Sequence, residues 1–139
     1  MFQKGRRGIS CGFILRCDAR VRVLMITFGE VVTDDGLLAG FAAVKDFVSQ
    51  RGPHHGITDF SGVRTFEISN EMLSQIGHMA PAIPAPMRRV VVAPEPASYV
   101  PARIVQALRA DTSAPIEIVA KIDTAFEMLG TNCSDLIEI

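Results

Sequence analysis

The sequence predicts an α/β domain with a mixed, mostly parallel sheet of about five strands, in the order β-β-α-β-α-β-α-β-α. Three observations carry this. Short apolar runs alternate with amphipathic stretches of helical period. Helix start and stop residues stand between them, among them Thr33, Ser69 and Gly130. The strand runs are apolar on both faces, as in a sheet covered on two sides. Strands separated by helices pair in parallel through right-handed crossovers. The first two strands are joined by a turn, which makes the sheet mixed.

Taken in order, Cys11 to Arg16 reads as a short strand, Cys17 to Arg20 as a turn, and Val21 to Phe28 as the second strand. In that strand Val21, Val23 and Met25 point one way and Leu24, Ile26 and Phe28 the other. Gly29 marks a bulge or strand end. Thr33 caps a helix whose first turn holds Asp34 and Asp35 beside the positive end of the dipole. Leu37, Phe41, Val44 and Val48 form its apolar stripe, widened by Leu38 and Phe47. The Gly-Pro-His-His run after Arg51 ends it and leads into a strand, Ile57 to Phe60, that closes at Ser61-Gly62. A second helix from Ser69 to Met79 turns Met72, Leu73, Ile76 and Met79 inward. Ala80 to Pro86, with three prolines, is stiff connection. Arg89 to Ala93 is a buried strand. Tyr99 to Leu108 is a helix with Pro101 near its first turn, and Ile116 to Ala120 is the last strand. Asp123 caps a terminal helix that Gly130 ends.

The 139 residues fit one domain, 1–139, with a basic tail over 1–10. Hydrophobic residues at 48% and charged residues at 21% exclude disorder as the main state. A net charge of −1 gives no bulk field for nucleic acid or membrane. The charge is uneven, however. Residues 1–22 hold six basic residues against Asp18, a balance of +5, and the remainder stands at −6. The six read as a solvated tail and hairpin rim. An odd set of cysteines (Cys11, Cys17, Cys133) fits a reducing compartment. Ile9 to Leu15 is too short and broken for a signal peptide, and no run approaches a membrane span. The expectation is a cytoplasmic, soluble protein. It is expected to cover surplus apolar surface as a homodimer, through Phe13, Leu15 and the open edge of the N-terminal hairpin.

Chemistry is sparse. Neither G-x-G-x-x-G nor G-x-x-x-x-G-K-[ST] occurs, and no cofactor is indicated. Gly36-Leu-Leu-Ala-Gly40 falls inside a helix and reads as a packing notch. The cysteines lack metal-ligand spacing, and His54 and His55, as neighbours in extended chain, point apart. His78 suits the negative end of its helix. Asp59, Ser61 and His55 are close in sequence and would be the parts of a hydrolase. Yet no G-x-S-x-G elbow presents the serine, and Asp59 and Ser61 read better as turn residues. Arg88, Arg89, Arg103 and Arg109 lack the interleaved aromatics of a nucleic-acid platform. Met72, Met79 and Ile83 could line a pocket between the second helix and the Pro-rich loop, the site of an apolar-ligand or lipid carrier. The same residues serve equally as core.

Gly56-Ile-Thr-Asp-Phe-Ser-Gly-Val63 and the order of elements resemble the STAS domain (sulfate transporter and anti-sigma-factor antagonist). The closer likeness is to small bacterial SpoIIAA-like proteins. It extends from Val21 to Gly130 through Gly29-Glu-Val-Val-Thr-Asp-Asp35, Asp59-Phe-Ser-Gly-Val63, Ile104-Val-Gln-Ala-Leu108 and Ile122-Asp-Thr-Ala-Phe-Glu-Met-Leu-Gly130. The resemblance implies helices mainly on one face of the sheet, no cofactor, and a non-catalytic regulatory or interaction role toward a protein or small ligand. Asp59, Ser61, Ser69 and Glu71 become the candidate regulatory or binding residues. Ser69 falls where the family carries its regulatory serine. Glu67-Ile-Ser-Asn70 departs from acid-Ser-Ser-Gly, and without the glycine Ser69 reads as a helix cap.

Overall fold

A computed structural model describes residues 12–109 and 115–139. The elements are β1 (Phe13–Asp18), β2 (Val23–Phe28), β3 (Val31–Thr33), α1 (Asp34–Arg51), β4 (His55–Asp59), β5 (Thr65–Glu67), α2 (Asn70–His78), β6 (Arg89–Val92), α3 (Pro96–Leu108), β7 (Ile116–Val119), α4 (Ile122–Leu129) and β8 (Ile137–Glu138). The main sheet has six strands in the order β7-β6-β4-β2-β1-β8, and β3 pairs with β5 in a small second sheet. From β2 through β4 and β6 to β7 the strands are parallel; β1 is antiparallel to both β2 and β8. The expected α/β class with a mixed, mostly parallel sheet is the observed one.

Alternation along β2 divides the core. Leu24, Ile26 and Phe28 join Leu37, Val44 and Phe47 of α1 and Met72 and Ile76 of α2 on one face. Val23 and Met25, with Ile57, Val90 and Val92, meet Ala125 and Leu129 of α4 on the other. Helices α1 and α2 therefore cover one face, α3 packs against α2 and β7 beside them, and α4 covers the opposite face. Gly40 is the notch read from the sequence, since a Cβ there would stand 2.7 Å from Phe28 Cζ. That absence lets α1 lie directly on β2.

Several local expectations are corrected. β2 begins at Val23, because Arg22 takes a left-handed φ of 56° and donates to the Pro53 and Arg51 carbonyls. Helix α3 begins at Pro96, which occupies the first helical position, so Pro101 lies inside the helix. Lys121, not Asp123, is the N-cap of α4; Asp123 sits in its first turn, still favourable to the dipole. Strand β1 is not an open edge, for β8 pairs with Arg16 and Cys17, and Ile139 N–H donates to the Leu15 carbonyl. Phe13 and Leu15 pack against the α1-side core, so the face nominated for dimerisation is largely covered. Cys11 and the tail over 1–10 lie outside the described residues. No helix among the described residues is long and apolar enough to cross a membrane.

The basic hairpin rim is absorbed locally. Buried Asp18 accepts from Arg20 N–H, from the Arg20 guanidinium at 3.2 Å and from the Thr131 hydroxyl at 2.6 Å. Arg20 also reaches Asp135 at 3.1 Å. These contacts bind the C-terminal segment, and with it β8, to the end of β1.

Candidate functional site

The ends of β2 and β4 hold the first group of candidates. Asp59 closes β4, buried, and accepts from Ser61 N–H at 2.9 Å and from the Thr27 hydroxyl at 3.4 Å. This is the turn-stabilising role expected of an Asp two residues before a Ser. Ser61 is exposed. His55 stands at the other end of β4, four residues or about 13 Å away at the rise of a strand. Its Nδ1 accepts from Arg88 N–H at 2.9 Å. Burial, then the charges of Arg88 and His54, holds that imidazole below its usual pKa. His54 is buried edge-on to Phe47, with Nδ1 at 2.8 Å from the Gly52 carbonyl. His78 meets the carbonyl of Ser74 in its own helix. Each imidazole is thus engaged with backbone away from Ser61, and no serine–histidine pair is assembled. Among the described residues no cluster of His, Cys, Asp or Glu is placed to hold a metal ion. Burial pushes the Cys17 thiol above its ordinary pKa, the reverse of an activated nucleophile.

Ser69 is the N-cap of α2. Its hydroxyl accepts from Met72 N–H at 3.0 Å and donates to Asp34 Oδ2 at 2.8 Å, while Ser69 N–H donates to Asp34 Oδ1 at 2.9 Å. One carboxylate in the first turn of α1 therefore holds the start of α2. Glu71 lies exposed in the first turn of α2, where its charge suits the dipole. Ser69→Ala should cost about 1–2 kcal/mol, a lost cap and a lost charge-assisted bond. Ser69→Asp should cost more than Ser69→Ala, because its carboxylate faces Asp34. Urea denaturation of the two variants checks the order.

The second group of candidates surrounds a cavity of about 130 Å³. Its floor is the face of the sheet presented by Gly56 and Thr58 of β4, Arg89 and Val91 of β6 and Ile116 of β7. Leu37, Phe41 and Val44 of α1, Leu73 and Ile76 of α2 with its C-cap Met79, and Pro101, Ala102 and Val105 of α3 wall it, and Ala80 to Ile83 line it as well. Gly56 offers no side chain, which lets Ile83 lie directly on β4; a Cβ on Gly56 would stand 2.8 Å from Ile83 Cγ1. Ala80, Ala82 and Ala102 fill little of the opposite wall. Met79 and Ile83 line the cavity as expected, but Met72 does not. It lies in the first turn of α2, next to the Ser69 cap, and is buried in the core on that face of the sheet.

Sequence reasoning missed the two cations. Among the described lining residues the polar side chains are Thr58, Arg89 and Arg109. Arg109 is 6% exposed, and its Nη2 donates to the carbonyls of Ile76 at 2.6 Å and Met79 at 3.0 Å. It thereby satisfies carbonyls at the C-terminal end of α2, where a cation is favoured. Burial, then the charge of Arg109, lowers the pKa of Arg89, and burial lowers that of Arg109. A signal for Arg89 was present in the strand itself. Alternation in Arg89-Val-Val-Val92 puts Arg89 on the face of Val91, the face under the helices, whereas Val90 and Val92 face α4. Arg88, one residue earlier, faces away and forms a bidentate pair with Glu117 at 2.8 and 2.9 Å.

By fold the chain is an α/β domain with a mixed, mostly parallel sheet, and this cavity lies on one face of that sheet. No family model matches the chain, and neither a curated protein nor a solved structure is significantly similar to it. The likeness to STAS domains rests on the residues quoted above.

Proposed function

We propose that this domain works by binding a small, largely apolar ligand in the cavity between α1, α2, α3 and the sheet, without catalysing a reaction. The observation that carries the reading is the cavity itself, open space lined almost wholly by apolar side chains of α1, α2, α3 and the sheet. A cavity of this kind, apolar with a few convergent polar groups, is the usual form of a small-molecule site. A STAS-like regulatory module and a ligand carrier meet in this reading, since a regulatory domain can take its signal from what it binds. Its volume argues against the lipid alternative. An engineered apolar cavity of about 150 Å³ takes a benzene ring, so 130 Å³ holds a body of that size and not the whole of a long acyl chain.

The test is an NMR titration with toluene, a probe of matching size. Resonances of Thr58, Ile83, Ala102 and Val105 should shift together and saturate. Ala102→Leu, which fills the space from the α3 wall, should retain the fold and lose the shifts. Wild-type protein whose resonances do not respond would refute the reading.

A further inference from the structure

We infer that the cavity selects a ligand whose compact apolar body carries one hydroxyl or carbonyl oxygen, held by a hydrogen bond to the hydroxyl of Thr58. The inference rests on the ligand-binding reading above and adds the polar group that the ligand must bring.

Thr58 lies in β4, the strand between β2 and β6. Its neighbour Ile57 belongs to the core under α4, so alternation turns Thr58 to the opposite face, where it lines the cavity. Opposite it in the adjoining strands stand Ile26 and Val91, and neither side chain can donate or accept. Among the described residues the Thr58 hydroxyl makes no hydrogen bond. It differs in this from the hydroxyls of Thr27, Thr33 and Thr131, each of which has a partner. Nor is it sealed behind other atoms, since it keeps access to the space that Thr58 lines.

Packing alone does not call for a hydroxyl at this place. Valine has nearly the same shape, suits a strand as well, and would spare the cost of taking an unpaired hydroxyl out of water. A water molecule would need two to four polar partners, and the side chains that flank Thr58 in the sheet supply none. A ligand oxygen needs only one. A threonine hydroxyl both donates and accepts, so it pairs with a ligand hydroxyl or carbonyl alike. The apolar walls hold the ligand's body and shield the bond from competing water. The volume of about 130 Å³ limits that body to roughly one six-membered ring.

The experiment pairs two matched changes. Phenol differs from toluene by a hydroxyl for a methyl, and Thr58→Val makes the same exchange in the protein. NMR titration of both probes on both proteins gives four affinities. Thr58→Val should lower the ratio of phenol to toluene affinity about threefold to tenfold, the net worth of one neutral hydrogen bond. Thr58→Ser, which keeps the hydroxyl, should keep most of the ratio. Without ligand, Thr58→Val should melt at or above the wild-type temperature. Toluene binding without phenol binding, or a ratio that valine leaves unchanged, overturns the inference and leaves the ligand-binding reading standing. A clearly lower melting temperature for Thr58→Val does the same, because it would reveal a protein partner for the hydroxyl. Binding of neither probe by wild type overturns both.

Discussion

Phe28→Ala should lower the stability of the domain by about 3–5 kcal/mol, the usual loss for emptying a buried aromatic site. Phe28 is 3% exposed at the end of β2. Its ring centroid lies 5.3 Å from that of Phe60, 6.2 Å from Phe13 and 6.4 Å from Phe41, the last pair edge-on. Four elements or connections therefore meet at one ring, and Gly40 of α1 lies against it. The site cannot close easily, because β1 and β2 are held in register on one side and α1 on the other. Phe28→Leu, which keeps most of the volume, should cost much less. Guanidinium denaturation of the three proteins gives the differences directly. A loss under about 1 kcal/mol for the alanine variant would mean that the neighbouring rings collapse into the space. Against a total stability of about 5–15 kcal/mol, the expected loss is large enough to reduce expression of the variant.

Where hydrophobic period and chain punctuation agreed, the fold was legible. The two faces of β2 were read from alternation alone, and they are the two sides of the sheet. The start of α2 was read from a serine ahead of an apolar stripe, and Ser69 is its cap. What was not legible depended on partners distant in the chain. Strands β3 and β5 are three residues each and β8 is two, too short for any period, and each exists because a neighbour offers a free edge. The beginning of α3 was misplaced because Pro96 and Pro101 both look like first-turn prolines, and only tertiary packing shows that Pro101 is tolerated inside, where it lines the cavity.

The candidate site was half legible for a related reason. A Met-bearing helix followed by a proline-rich connection suggested a pocket, and Met79 and Ile83 line one. Composition made the arginines look like surface charge, because their usual place is the surface. The cavity is lined by Gly56, Ala82 and Ala102, on a strand, a connection and a helix that meet only in the folded chain. A motif search cannot find it. The link from Asp34 to Ser69 spans 35 positions and was likewise invisible, although each residue separately carried a helix-start signal.

Gly77→Ala should destabilise the domain by about 1–3 kcal/mol, and trimming one side chain on α3 should recover only part of that loss. Gly77 is buried in the last turn of α2, where α2 packs against α3. An ideal Cβ at this position would stand 2.4 Å from Leu108 Cδ1 and 2.7 Å from Leu108 Cβ. Rotation of the leucine can relieve the first contact. The second involves an atom fixed to the α3 backbone, so the helices must separate. In an exposed helix the same change would stabilise by up to about 1 kcal/mol, since alanine is the better helix former. The steric term opposes this gain and exceeds it. Separation of α2 from α3 would also disturb Arg109, one residue beyond Leu108, and its bonds to the Ile76 and Met79 carbonyls. Leu108 is 39% exposed, so Leu108→Ala alone should cost little. The double variant should lose less than the sum of the two single changes, because the contacts with Leu108 Cδ1 and Cγ are gone, yet stay less stable than Leu108→Ala, because alanine keeps the Cβ. Urea denaturation of the four proteins closes the cycle. Additive losses would show that the clash is with Leu108 Cβ alone, and a stabilised Gly77→Ala would show that α2 and α3 are not packed as closely as described.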